Sequence, residues 1–279
     1  MCATISLVAI DLSRMPRDPA VHTALTLPSF RLDGRTALVT GAGGGLGAAA
    51  AIGLSEAGAD VILLGRTERT LEETAIAVRS NARTARVMVC DVCDREAVRS
   101  LIGRLDSLDI LVNNAGTNTP QKFIDVSDEI LDGIVDLNVR SYFVVAQAAV
   151  RKMLERTDRR QRGGAVVNMS SQMGHVGASL RSVYCMSKHA IEGLTKAMAV
   201  ELASTGIRVN SVCPTFTQTP LVRDLLASSD RLDDVLARIP IGRLGRVEEV
   251  AAAVVYLASP AAAMVTGASL LVDGGWTAQ

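Results

Sequence analysis

Thr36-Ala37-Leu38-Val39-Thr40-Gly41-Ala42-Gly43-Gly44-Gly45-Leu46-Gly47 decides the fold. Its first five residues are apolar or β-branched and read as a buried strand, and the glycines of residues 41–47 read as a turn. The alanine-rich residues 48–57, closed by Gly58, read as a helix. A helix start offers unpaired backbone N–H groups and the positive end of a dipole, and glycines let an anion approach with no Cβ in the way. The site suits the pyrophosphate of a dinucleotide. A glycine loop by itself makes only a tight turn; the strand before it and the helix after it give it meaning.

Outward from this unit the chain keeps alternating. Residues 61–64 precede helical text at 68–80, residues 86–90 precede 95–105, and residues 109–112 precede a long helix at 127–156. Residues 165–169 precede a helix at 182–204, and residues 209–212 and 268–272 supply the last strands, with helical text at 247–258 between them. Strands apolar throughout, separated by amphipathic helices, predict a parallel sheet covered on both faces. The expected fold class is α/β: a single-domain, doubly wound, Rossmann-like sheet over residues 31–279. Residues 1–30, with Pro16, Pro19 and Pro28, read as an irregular extension in which Met15 is an alternative start. The apolar patch at residues 3–10 lacks the cationic lead and cleavage site of a secretory signal.

Composition removes several function classes. The 279 residues carry 29 basic and 29 acidic side chains, so nucleic acid is not an expected partner. Apolar runs stay far short of the roughly 20 residues of a membrane span, so no membrane partner is expected. Five cysteines, an odd number in a chain large enough to need no staples, point to a reducing compartment, the cytoplasm. Cys90 and Cys93 form a C-x-x-C, but no second ligand pair follows and no metal is expected. The one dense basic stretch, residues 151–162, reads as a solvated helix end and loop.

The pattern T-G-x-x-x-G-x-G, with Gly41, Gly45 and Gly47, resembles the cofactor loop of short-chain dehydrogenases/reductases, and the likeness runs from about residue 31 to the C-terminus. The resemblance implies an NAD(P) site. It places Leu46 in the phosphate turn, Asp91 and Val92 beside the adenine, and Asn114, within Asn113-Asn114-Ala115-Gly116, beside the adenine ribose. Pro214 and Thr219 match the loop that fixes the nicotinamide carboxamide, where Thr215 departs from the usual glycine. At the end of the second strand stands Gly65-Arg66 where an NAD-binding protein would carry an acidic residue. A guanidinium there suits a 2′-phosphate, so NADP(H) is favoured over NAD(H).

Tyr184 and Lys188 are four residues apart in helical text and so share one face. Ser171 lies thirteen residues before Tyr184, directly past a strand, and Asn138 sits on the preceding helix. These four match the family's Asn-Ser-Tyr-Lys tetrad. Hydride transfer to a carbonyl leaves an alkoxide that needs a proton, and the reverse needs a base. A tyrosine with a pKa near 10 serves poorly at neutral pH unless a neighbouring ammonium stabilises its phenolate. Tyr184 is therefore the expected general acid/base, with Lys188 lowering its pKa and holding the nicotinamide ribose. Ser171 is the donor to the substrate oxygen, and Asn138 is expected to order a water.

The predicted activity is interconversion of a secondary alcohol and a ketone. Substrate choice must lie in residues 117–123, 172–181 and 216–244, of which 221–237 read as a helical lid, and His175 is a candidate contact. Residues 170–174 and 272–276 resemble members acting on sugar acids and polyols, such as gluconate dehydrogenases. The alternatives are a 3-oxoacyl thioester reductase, which needs a basic docking patch, and a cofactor-sensing regulator without chemistry. Apolar residues crowd the helices at 127–156 (Tyr142 to Val145, Ala148 to Val150) and 182–204 (Ile191, Leu194, Ala197, Met198, Val200, Leu202), predicting a homotetramer, or failing that a dimer.

Overall fold

The computed structural model describes residues 27–226 and 229–279; most of the extension expected over residues 1–30 lies outside them. The apolar runs become strands because both their faces are covered. They form Thr36–Thr40 (β1), Asp60–Gly65 (β2), Ala85–Val89 (β3), Ile110–Asn113 (β4), Gly164–Met169 (β5), Ile207–Pro214 (β6) and Ser269–Val272 (β7). The helices are Gly45–Glu56 (α1), Glu68–Ser80 (α2), Arg95–Gly103 (α3), Asp128–Val135 (α4), Ser141–Leu154 (α5), Arg159–Arg162 (α6), Ser182–Leu202 (α7), Pro220–Leu225 (α8), Ser229–Leu236 (α9) and Val247–Ala258 (α10). All seven strands pair in parallel in the order β3-β2-β1-β4-β5-β6-β7. This is the doubly wound, Rossmann-like sheet with helices on both faces.

Alternate strand residues enter different cores. Ala37, Val39, Val61, Leu63 and Val112 pack under α1, α2 and α10, whereas Leu38, Ile62, Leu64 and Leu111 pack under α3 and α5. The alanines of the sequence have a packing purpose. With Ala50 and Ala51 fully buried, α1 lies so close to α10 that a Cβ on Gly53 would come within 3.3 Å of the Ala251 Cβ.

Four expectations change. The long helix at 127–156 is α4 and α5 joined by a turn of wider π geometry at Asp136–Arg140, which contains Asn138. The lid is two short helices, α8 and α9. Residues 151–162 are not simply solvated: Arg159 is buried, its guanidinium 3.1 Å from the buried Asp109. Finally, much of the apolar surplus on α5 and α7 belongs to this chain's own core, since Tyr142, Val145, Ala149 and Ile191 are fully buried. Phe143 (52 % exposed) and Val200 (85 %) remain outside it, as do Leu154 and Met186.

Candidate active site

The strand order reverses between β1 and β4, where a doubly wound sheet opens a crevice at its strand C-termini. Here the ends of β1, β4, β5 and β6 surround a cavity of about 480 Å³. One wall is the glycine turn. Gly44 caps α1 with no side chain, so the cap gives the first-turn N–H groups no side-chain acceptor, and a Cβ on Gly44 would point into open space. Gly41 and Gly45 take left-handed φ values of 63° and 53°, and a Cβ on Gly47 would overlap the Gly41 carbonyl oxygen. The Thr40 hydroxyl oxygen accepts from the backbone N–H groups of Asn114 (2.8 Å) and Ala115 (3.0 Å), and Asn114 Nδ2 donates to the Thr40 carbonyl (2.9 Å). The loops after β1 and β4 are thereby locked together around a cradle that fits a pyrophosphate.

Ser171, Tyr184 and Lys188 line the same cavity, with Pro214 and Thr219 opposite. The Ser171 hydroxyl accepts from Met173 N (3.1 Å), which holds it at the end of β5. Lys188, one helical turn past Tyr184, is buried and donates through Nζ to the Met169 carbonyl at 2.8 Å. Tyr142 Oη donates to the same carbonyl at 3.0 Å, and the ammonium lies 5.3 Å from the Tyr142 ring centre and 5.6 Å from that of Tyr184. Burial brings Lys188 down to about 8, against the opposing pull of Cys213 and Glu192. For Tyr184 burial raises the pKa, while hydrogen bonding with Ser171 and the charge of Arg181 draw it down. The Lys188 ammonium is itself directed at the Met169 carbonyl.

Asn138 is fully buried in the π turn. Its Oδ1 accepts from Thr117 N (2.8 Å), and its Nδ2 donates to Thr117 O (2.8 Å) and the Ser187 hydroxyl (3.2 Å). It fastens the loop after β4 to α7, and a single lone pair on Oδ1 is left for any further donor. Arg66 and Asp91 are exposed and Val92 is buried in the core; none of the three lines the cavity. The register brings the chain after β2 and after β3 side by side, since Gly65 pairs with Val89 and Cys90 N donates to Gly65 O at 2.8 Å. Among the described residues Arg66 has no ion-pair partner.

His175 is exposed and outside the cavity lining, its Nε2 3.8 Å from Glu192 Oε2. His175, Glu192 and Cys213 bring their donor atoms within 4.8 Å of one another, but the set suits a metal poorly. Burial and Glu192 push the Cys213 thiol up to about 12, and the Glu192 oxygens already accept from Ser211, Ser269 and Cys213. Sequence reasoning missed Glu192, although its place four residues past Lys188 on one helix face was a readable signal. Gln172, Arg181 and Asn118 line the cavity too; they fall inside the segments 117–123 and 172–181 read as substrate-choosing, though none of the three was singled out there.

A family profile described as Enoyl-(Acyl carrier protein) reductase matches residues 41–277. The chain belongs to the short-chain dehydrogenase/reductase family. It is an oxidoreductase of the class acting on CH–OH groups. It is 38% identical over 251 residues to the 2-dehydro-3-deoxy-D-gluconate 5-dehydrogenase of Bacillus subtilis, covering 89% of this chain and 96% of that one. It is 37% identical over 244 residues to the 3-oxoacyl-(acyl-carrier-protein) reductase FabG of Rickettsia conorii, covering 88% and 97%. A gluconate 5-dehydrogenase from Burkholderia cenocepacia, solved in complex with NADP and tartrate, superposes with a TM-score of 0.84 at 35% identity, over 90% of this chain and 98% of that one. No helix among the described residues of this short-chain dehydrogenase/reductase is long and apolar enough to cross a membrane.

Proposed function

We propose that this protein, through residues 31–279, is an NADP(H)-preferring oxidoreductase that interconverts a secondary alcohol and a ketone on a sugar acid or polyol, with NAD(H) as the alternative cofactor. The observation that carries the reading is the convergence of Ser171, Tyr184 and Lys188 on one cavity whose far wall is the glycine cradle. Gly41, Gly45, Leu46 and Gly47 would hold the pyrophosphate, Arg66, Asp91, Val92 and Asn114 the adenosine end, and Tyr184, Lys188, Pro214 and Thr219 the nicotinamide end. When bound, the dinucleotide supplies or accepts the hydride. Tyr184 Oη gives the proton to the nascent alkoxide, or takes it from the alcohol, and Ser171 donates a hydrogen bond to the same oxygen. Lys188 holds the ribose hydroxyls, and Asn138 keeps the loop after β4 against α7, leaving one acceptor site for a water.

Turnover of sugar acids or polyols with NADP(H), and not of 3-oxoacyl thioesters, is the expected result of a panel assay. Turnover confined to acyl thioesters overturns the substrate class, and cofactor binding with no turnover of any carbonyl favours a sensor. The thioester reading has support in the Rickettsia relative. Against it, the basic stretch that would dock an acidic carrier lies before β5, at the sheet end opposite the cavity, with Arg159 and Arg162 bound to Asp109.

The cofactor preference has its own test. Arg66→Ala should lower kcat/KM with NADPH about 10-fold or more, the worth of hydrogen bonds to a charged group, and change that with NADH far less. Arg66 is the better target than Gly65, where any Cβ would come 3.2 Å from the buried Leu71 side chain. A wild-type enzyme that strongly prefers NADH refutes the role.

The same proposal extends to assembly and location: a homotetramer, or a dimer as the smaller alternative, in the cytoplasm. Phe143 and Leu154 on α5 and Met186 and Val200 on α7 support the first, and the free thiols of Cys90, Cys93, Cys185 and Cys213 the second. Light scattering should give four times the 29.4 kDa chain mass; a monomer at micromolar concentration overturns the assembly.

A further inference from the structure

We propose that Arg181 recognises a carboxylate on the substrate, so that the cavity takes polyhydroxy acids in preference to neutral polyols of the same carbon skeleton. The inference rests on the alcohol/ketone reading above and goes further by dividing its substrate class. Among the described residues lining the cavity, the ionisable side chains are Arg181, Tyr184 and Lys188, and none is acidic. Lys188 is buried and directed at the Met169 carbonyl, and Tyr184 carries the transferable proton. Arg181 stays charged at every working pH. It precedes the first turn of α7, three residues before Tyr184, close enough for its charge to act on that phenol. A substrate oxygen at Tyr184 and a carboxylate a few bonds away therefore both find partners. The guanidinium has five N–H donors, so a carboxylate joins whatever contacts it already makes.

A second observation points to the same ligand. Gln172, beside Ser171, is 1 % exposed and neither its amide nitrogen nor its amide oxygen has a hydrogen-bond partner. Thr215 Oγ1 and Asn118 Oδ1, on two other walls, are also buried and unmatched. Buried polar atoms without partners are costly in a folded chain and need an explanation. Several hydroxyls on the ligand would supply the missing partners; an alkyl chain would leave them unmatched. Cation and orphaned amide together describe a hydroxylated acid.

The test compares tartrate with threitol, its uncharged counterpart, by calorimetric titration into NADPH-saturated enzyme, alongside kcat/KM for gluconate and glucitol. The wild type should bind tartrate at least about 10-fold more tightly than threitol, in line with charge-assisted hydrogen bonding. Arg181→Gln should close that gap and lower the gluconate-to-glucitol ratio of kcat/KM by a similar factor, while Arg181→Lys restores part of both. Because the ratio is taken within one enzyme, any effect on Tyr184 acidity cancels. Equal tartrate affinity in Arg181→Gln and wild type, or no discrimination by the wild type, overturns the proposal. Carboxylate-selective binding without NADP-linked turnover of any sugar acid would instead overturn the proposed function and leave the anchor standing.

Discussion

Tyr184→Phe is expected to lower kcat by more than ~100-fold while NADPH binds as in the wild type, a loss of ~3 kcal/mol of transition-state stabilisation. The substitution removes a hydroxyl and keeps the ring that faces Lys188 at 5.6 Å. Burial raises the tyrosine, so at neutral pH it enters the reaction protonated, which is the form that ketone reduction needs. Alcohol oxidation needs the phenolate, and its rate should climb as pH rises above 7 where reduction does not. Lys188→Met should behave differently, weakening the cofactor as well as turnover, since the proposed role of the ammonium is to hold the ribose. Lys188 titrates at about 8, so wild-type NADP⁺ affinity should weaken as pH rises through that value and the methionine variant should lose the dependence. A Tyr184→Phe enzyme that keeps half the wild-type rate sinks the assignment.

The parallel sheet was legible because its central strands have no polar face. Residues 61–64 and 110–112 are apolar at every position, which leaves only a place covered on both sides. β6 was read too short for the opposite reason. Arg208 looks like a strand breaker, yet it donates to the carbonyls of Leu257 (2.7 Å) and Ser259 (3.0 Å), and Asn210, inside the stretch read as strand, is held likewise, its Nδ2 donating to the Val265 carbonyl at 2.8 Å. Their partners lie some 50 residues away, and no local periodicity reports them. The candidate tetrad was readable as types at a spacing, but not the π turn that contains Asn138, whose side-chain partners Thr117 and Ser187 lie on another loop and another helix. Arg181 and Gln172 were readable only as ends of the segment 172–181 and not as individual contacts, for a related reason: a wall residue acquires meaning only when the other walls are in place.

Residues 151–162 make the same point with the largest energetic consequence. Asp109→Ala is expected to destabilise the fold by ~3–5 kcal/mol, the cost of breaking a buried ion pair, and to lower Tm by on the order of 5–10 °C. Asp109 is 1 % exposed at the start of β4. Its carboxylate accepts from Arg159 Nη1 (3.1 Å), Arg162 Nε (2.8 Å) and Nη2 (3.0 Å), and the Thr36 backbone N–H (3.1 Å), with Arg35 Nη1 3.7 Å away. It joins the starts of β1 and β4 to the turn that leads into β5, and its removal leaves three guanidinium groups without their anion, one of them buried. Burial by itself would raise this carboxyl, but the bonds from Arg162 and Thr36 and the neighbouring charges hold it below the usual carboxylate range. A folded pKa below the unfolded one means that the stabilisation is complete above the unfolded value near 4 and is lost as pH falls through the folded one. The gap between wild type and Asp109→Asn in denaturant unfolding should therefore be widest near neutrality and shrink in acid. Asp158→Ala is the control, because its pair with Arg156 is exposed and such pairs contribute ~0–1 kcal/mol. Equal losses in the two variants would return residues 151–162 to the solvated loop that their composition first suggested.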